Sequence, residues 1–279
     1  MKPIGILVTL DGRYAPPLKT MLKSLFLNNP DERFDIYMAY SDMEDETVQS
    51  LEAFCGRHGE RGANRLIPLR IGDEMFADAP VLRYWPKSMY YRLLASEILP
   101  EHLGTVLYLD PDTLILNAVR PLCETDFAGY LFAAAAHEDL IGISKHINRV
   151  RLGTFDSERY YNSGVMLLDL AAQRREIVRG EIFDYVREHG EDLLLPDQDV
   201  LNALYGSRIF PLDESLYNYD ARFFEAYLLK SQGEKDIDWV VRNTVVLHFC
   251  GKNKPWKKSY RNRFGVLYKH YMQLAQSWT

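Results

Sequence analysis

Thr105-Val106-Leu107-Tyr108-Leu109-Asp110-Pro111-Asp112-Thr113 is the segment on which the fold turns: an apolar run that passes directly into two carboxylates separated by one proline. The run reads as a buried strand, with Asp110 and Asp112 just beyond its carboxyl end. Upstream, residues 4–10, 34–40 and 65–71 are similar short apolar runs. Between them, residues 17–28, 44–58 and 87–99 carry amphipathic helical patterns, the first opened by Pro16 and Pro17, where proline is tolerated. Strand and helix in alternation predict βαβ units, hence an α/β fold with a mixed, mainly parallel sheet flanked by helices. Ligands of such sheets bind beyond the carboxyl ends of the strands, where the two aspartates fall.

The second half is less regular. Residues 131–136, 164–170 and 244–249 read as strands, and 171–189 and 197–205 as helices. With no internal repeat and no Gly/Ser linker, residues 1–251 are expected to form one domain with an elaborated second half. Residues 252–279 stand apart in charge: seven basic and no acidic residues give +7, against −13 for the remainder of a chain with 33 basic and 39 acidic residues. Trp256, Tyr260, Phe264, Tyr268, Tyr271 and Trp278 are interleaved with those charges. The expectation is a final amphipathic helix packed on the domain with its aromatics inward. A second reading rests the tail on an anionic membrane surface, where each basic group contributes about 1 kcal/mol.

At 47% hydrophobic and 26% charged residues the chain can bury a sizeable core, and its net charge of −6 argues against a dedicated nucleic-acid binder, which needs a basic contact face. Cys55, Cys123 and Cys250 are odd in number, far apart and without CxxC spacing, as expected of free thiols in a reducing compartment. Residues 4–10 are too short for a signal-peptide core and no run is long enough to span a bilayer. A cytoplasmic protein is expected, free or attached to the inner face of the membrane. There is no GxGxxG after the first strand, no GxxxxGK[ST] and no GxSxG, which disfavours a dinucleotide dehydrogenase, a P-loop ATPase and an α/β-hydrolase.

Two carboxylates as close as Asp110 and Asp112 repel unless something positive lies beside them. A divalent cation removes that cost, and hard oxygen ligands suit Mg²⁺ or Mn²⁺; an Asp-Pro-Asp turn is the structural alternative. His248 ends the apolar run Val245-Val246-Leu247, and an imidazole added to the pair favours Mn²⁺. Gly251 permits close backbone approach, and Lys254 offers a compact positive charge to a phosphate oxygen. In Asp197-Gln198-Asp199, after Pro196, an acid such as Asp197 caps a helix, or Asp197 and Gln198 hydrogen-bond the hydroxyls of a polar substrate. Asn162-Ser163-Gly164 opens a strand with an amide suited to the same task. Asp11-Gly12-Arg13-Tyr14 ends the first strand; its carboxylate and ring suit a nucleobase, with an Asp-Gly turn as the alternative.

Taken together and in order, these residues resemble the family 8 glycosyltransferases, in particular the bacterial lipopolysaccharide α-galactosyltransferase branch. The landmarks are Asp11 to Tyr14, Met89-Tyr90-Tyr91-Arg92, Asp110-Pro111-Asp112, Tyr161-Asn162-Ser163-Gly164-Val165, Pro196-Asp197-Gln198-Asp199, and His248 through Lys254-Pro255-Trp256. The resemblance implies a GT-A fold and retaining, metal-dependent transfer of galactose or glucose from UDP to a saccharide or glycan acceptor, in cell-surface polysaccharide synthesis. It implies that Asp110, Asp112 and His248 bind Mn²⁺ or Mg²⁺, that Asp11 and Tyr14 hold uracil beside Arg13, and that Gly251 and Lys254 contact phosphate. Arg92, Asn162, Asp197 and Gln198 would line the sugar, with Gln198 and Asp197 the catalytic candidates. Arg13 departs from the family pattern, which has asparagine there, and the tail is shorter. Same-face substitution, with Gln198 stabilising a cationic transition state, is the expected course. The acceptor half, roughly 137–159, matches no readable pattern. The competing classes are a sugar nucleotidyltransferase, for which the first loop lacks a Gly-rich basic signature, and a non-catalytic nucleotide-sugar-binding module.

Overall fold

The computed structural model describes residues 2–57, 64–80, 87–136 and 159–277. Its centre is a seven-stranded sheet of β1 (Ile4–Thr9), β2 (Phe34–Tyr40), β3 (Arg65–Arg70), β4 (Thr105–Leu109), β6 (Phe132–Ala136), β7 (Tyr161–Asp169) and β8 (Ile209–Leu212). The order is β3-β2-β1-β4-β7-β6-β8, and β7 alone runs against its neighbours. A second sheet of three strands contains β5 (Thr113–Ile115), β9 (Tyr219–Asp220) and β10 (Val246–His248).

The central strands are apolar along their whole length because both faces are covered. Ile6 and Val8 point to one face, with Leu18, Leu22 and Leu25 of the helix Ala15–Asn28; Leu7 points to the other, with Tyr90, Leu93 and Tyr108. The chain adds β2 and β3 to one side of β1 and then returns to place β4 on the other. That reversal opens a crevice at the ends of β1 and β4, where the 11–14 and 110–112 turns meet.

Three departures from the expected elements have local causes. The helix expected at 87–99 is two, Met89–Leu93 and Ala95–Ile98, broken at Leu94; Leu93, Leu94 and Ala95 are all fully buried, which one continuous helix, turning 100° per residue, achieves only if enclosed on most sides. The helix expected at 171–189 is Leu170–Glu176 and Arg179–His189, separated by the β-branched pair Ile177 and Val178 in extended conformation. The strand expected at 244–249 forms, but in the small sheet, antiparallel to β5 and parallel to β9. His58, at the end of the second expected helix, the 137–158 stretch and Trp278 lie outside the described residues.

Among the described residues β5 has no strand on its outer edge, and the first helix supplies its partners. Ser24 Oγ accepts from Ile115 N at 2.9 Å, and Asn28 Nδ2 donates to Ile115 O at 2.8 Å. Asn29 Oδ1 accepts from the buried Val119 N at 2.9 Å. The C-terminal helix Gly265–Gln276 packs on the same first helix, with Tyr271 Oη 2.8 Å from Asn28 Nδ2. Tyr260, Phe264 and Tyr268 point into a third core with Leu247 and Phe249. An Asn29→Ala variant leaves the Val119 N–H buried without an acceptor; it should lose about 1–3 kcal/mol of stability in urea unfolding, and an unchanged midpoint would show that this bond does not hold the segment after β5.

Candidate active site

Asp110 and Asp112 occupy the turn between β4 and β5. Thr113 Oγ1 donates to Asp110 O at 2.9 Å, so the segment is a closed turn as well as an acidic pair. His248 arrives from the other end of the chain: its antiparallel register with Thr113, and Phe249 N donating to Asp112 O at 3.0 Å, set it beside Asp112. The imidazole Nε2 is 3.4 Å from Asp112 Oδ1, and one ligand atom from each of Asp110, Asp112 and His248 lies within 4.8 Å of the others.

The third wall is a strand irregularity. β7 pairs regularly with β4, yet its register with β6 jumps from Ala134↔Met166 to Ala136↔Tyr161, so Asn162, Ser163 and Gly164 leave β6. Asp110 N donates to Gly164 O at 2.8 Å. A Cβ on Gly164 would stand 2.4 Å from His248 Cε1 and 2.7 Å from Asp110 Oδ2, so only glycine lets the three ligand candidates close up. Asn202 fastens the helix Pro196–Tyr205 to this strand, accepting from Tyr161 N at 2.7 Å and donating to Tyr161 O at 2.8 Å. Asp197 and Gln198 on the first turn of that helix are thereby brought to the same pocket. Among the described residues no side chain caps this helix; Asp199, in its first turn, reaches back to accept from Leu194 N and Leu195 N at 2.7 and 3.0 Å.

Charge is balanced tightly. Arg92 bridges Asp110 at 3.1 Å and Asp197 at 2.9 Å, stacks 4.7 Å over the Tyr108 ring and also donates to Ser163 O at 3.3 Å. Tyr108 Oη donates to Asp110 Oδ1 at 2.6 Å and is itself 3.0 Å from Thr9 Oγ1. Lys254 pairs with Asp112 and donates to Phe249 O at 3.1 Å. Burial opposes the Asp112 charge, but His248 and Lys254 outweigh it and hold the carboxyl well below the usual carboxylate range. Asp110 is raised by burial, with Arg92 opposing and Asp112 adding to the rise. Burial works against a charged His248 too, yet Cys250 and Asp112 beside it hold its proton well above the usual histidine range. Lys254 is raised by Asp112 against the effect of burial.

Asp11 and Tyr14 stand at the neighbouring strand end. Arg13 folds back on Asp11, with Nη2 to Oδ2 at 2.8 Å and the Arg13 amide to Oδ1 at 2.9 Å, a pair open to solvent and weak for that reason. The Tyr14 ring meets Trp256 edge-on at 5.8 Å, and Tyr14 is raised by burial, with Lys254 opposing and Asp112 and Asp110 adding. Gly251 has φ +84°, the left-handed region that favours glycine, and a Cβ there would lie 2.9 Å from Arg222 Nη1, a contact that this flexible side chain can relieve by moving. The candidates named from the sequence thus gather at one end of the sheet. Tyr108, Thr9, Asn218 and Arg222 were not among them; Asn218, 2.8 Å from His248 Nδ1, sits in Leu216-Tyr217-Asn218-Tyr219, which carries no motif.

The sequence matches glycosyl transferase family 8 over residues 5–259. The chain belongs to this family. It is 27% identical over 277 residues to general stress protein A of Bacillus subtilis, covering 95% of this chain and 92% of that one. It is also 27% identical over 257 residues to a lipopolysaccharide 1,2-glucosyltransferase of Escherichia coli, covering 88% of this chain and 71% of the enzyme. The structure is similar to that of the galactosyltransferase LgtC solved with donor and acceptor sugar analogues, with a TM-score of 0.79, 22% identity, and 97% and 96% of the two chains covered. The GT-A fold of these enzymes is the fold of this chain. Among the described residues, no helix is long and apolar enough to cross a membrane.

Two carboxylates and an imidazole around a glycine cradle fit a hard divalent cation. A cation taking His248 as ligand has to displace its proton. Uptake of Mn²⁺ at neutral pH should therefore release protons and weaken as pH falls, read from titrations in buffers of different ionisation enthalpy; buffer-independent heats would exclude His248. Gly164→Ala should cost about 1–3 kcal/mol through overpacking, or, if the fold yields locally, lower Mn²⁺ affinity; a variant with neither change would show the cradle to be slack.

Proposed function

We propose that this chain is a retaining glycosyltransferase that moves galactose or glucose from a UDP-sugar to a saccharide or glycan acceptor, with Mn²⁺ or Mg²⁺ held by Asp110, Asp112 and His248. The observation that carries the reading is the convergence of these three groups with Lys254 on one side and Arg92, Asn162, Asp197 and Gln198 on the other, in a chain of this family. Relatives named as lipopolysaccharide glucosyl- and galactosyltransferases support a hexose donor and a role in cell-surface polysaccharide synthesis.

Breaking a glycosyl phosphate bond leaves negative charge on the diphosphate. The cation, when bound, supplies Lewis-acid stabilisation of that charge. Lys254, on a flexible stem between Asp112 and the Phe249 carbonyl, moves its ammonium onto a phosphate oxygen as charge develops, and Gly251 admits the diphosphate close to the backbone. Asp11 and Tyr14 receive uracil, Arg13 giving up its exposed bond to Asp11 as the base enters. Arg92 fixes Asp197 toward the sugar and keeps its charge compensated.

Retention requires either a carboxylate on the far face of the sugar or attack from the side of the leaving group. Asp197 is already engaged by Arg92 and by Ser163 Oγ at 3.1 Å, and Gln198 is an amide, so neither is a ready nucleophile. Same-face attack is the course favoured here, the acceptor proton passing to the departing phosphate oxygen. The basic residues of the C-terminal segment, Lys257, Lys258, Arg261 and Lys269 among them, would hold the protein against an anionic membrane face.

The test is release of UDP from UDP-galactose and UDP-glucose with Mn²⁺, Mg²⁺ or EDTA, with water as the only acceptor. One of the two donors should be hydrolysed slowly and EDTA should abolish the reaction. Asp112→Ala should reduce turnover by about 10²–10³-fold, on the order of the loss of a main charge-stabilising group, with circular dichroism unchanged. Turnover indifferent to EDTA and to this substitution would overturn the metal site, and absence of UDP binding would overturn the donor.

A further inference from the structure

Four buried side chains form an unbroken line from the metal-ligand candidate to the sugar side of the pocket. His248 Nδ1 is 2.8 Å from Asn218 Oδ1; Asn218 Nδ2 donates to Asn162 Oδ1 at 2.9 Å; Asn162 Nδ2 donates to Gln198 Oε1 at 3.1 Å. All four residues are at most 8% exposed. An amide chain of this kind can run in either direction, because each amide carries a donor at one end and an acceptor at the other.

The backbone removes that freedom. Asn162 Oδ1 also accepts from Gly164 N at 2.9 Å, and Gln198 Oε1 also accepts from Ser163 N at 3.4 Å. Reversing either amide would set an NH₂ group against a backbone N–H with water shut out, leaving donors without acceptors. Ser163 N is left to the relay where β7 departs from β6, and Gly164 N bonds the Asn162 amide while its own carbonyl stays paired with Asp110 N. The direction is therefore imposed by the bulge, and it propagates: Asn162 must show its oxygen to Asn218, so Asn218 must show its nitrogen to Asn162 and its oxygen to His248.

We propose that Asn218 is a positioning residue of the active site, through which the Asn162–Gly164 bulge holds His248 as the Nδ1–H tautomer with the Nε2 lone pair directed to a divalent cation. The inference deepens the metal-dependent reading above and rests on it for the cation. At the far end the same polarity has a second consequence. Gln198 has both lone pairs of its carbonyl oxygen engaged, and its Nε2 makes no hydrogen bond to a described residue, so it meets substrate as a donor. A donor binds a sugar hydroxyl or a phosphate oxygen.

Two substitutions separate the relay from mere packing. Asn218→Leu removes the acceptor and should weaken Mn²⁺ binding by about 10–100-fold, the usual loss when the partner of a metal-ligating histidine is removed. Asn218→Asp keeps an acceptor for His248 but loses the donor to Asn162; it should retain Mn²⁺ affinity within about threefold while kcat for UDP-sugar hydrolysis falls and KM changes little. Equal Mn²⁺ affinity in the wild type and a folded Asn218→Leu protein, or an equal loss in both variants, would overturn the proposal. Should Asn218→Leu fail to fold, the wild type alone decides: ¹⁵N–¹H spectra of histidine-labelled protein without added metal, on the alkaline side of the His248 titration, should show Nδ1 protonated and Nε2 bare. The opposite tautomer would overturn the relay. The expected tautomer in a protein that takes up no Mn²⁺ would uphold the relay and remove the metal reading instead.

Discussion

Two carboxylates, one residue apart and set at the buried end of a strand, are an electrostatic liability that the surrounding structure is arranged to offset. Asp110 leans on Arg92 and the Tyr108 hydroxyl; Asp112 leans on Lys254 and His248. These partners come from a short helix after β3, from β4 itself, from β10 and from the segment that follows β10. Removing any of them leaves an uncompensated charge with little water to solvate it, which costs more than the intact pair contributes. The arrangement is thus poor as a stabilising device and well suited to a cation, which would replace several partial compensations by one.

Bringing those partners together is the work of the backbone. The small sheet exists so that β10 can run antiparallel to β5, which puts His248 one register step from Asp112. The first helix closes the free edge of β5 with Ser24 and Asn28, and Asn29 just after it holds Val119 beyond the strand, bracing the acidic turn from behind. The β7 bulge does the corresponding work on the sugar side: it presents Gly164 where no Cβ fits and leaves Ser163 N to the amide relay. Geometry at this pocket is fixed by main-chain pairing, and the side chains inherit it.

Much of the first half of the chain was legible because its strands are covered on both faces and its helices alternate with them, so that local composition and tertiary environment agree. The second half was harder to read. The strand Ile209–Leu212 contains a proline, the strand Tyr219–Asp220 is two residues long, and the helices Glu214–Tyr217, Phe224–Lys230 and Ile237–Asn243 are of four to seven residues, too short for periodicity to register. The breaks at Leu94 and at Ile177–Val178 differ in kind: β-branching marks the second in the sequence, whereas the first reflects burial on several sides, which no local signal carries.

By itself the sequence determined the α/β class, the strand that ends in Asp110 and Asp112, the order of the landmarks and, through them, the family. Those features are local, or are ordered along the chain, and need no contact to be read. Only the tertiary structure decided that His248 faces Asp112 across 136 residues, that Arg92 joins Asp110 to Asp197, and that Asn218 links the histidine to Asn162. The direction of an amide hydrogen bond depends on every partner in the chain of bonds, and these partners meet only when strands distant in sequence are paired.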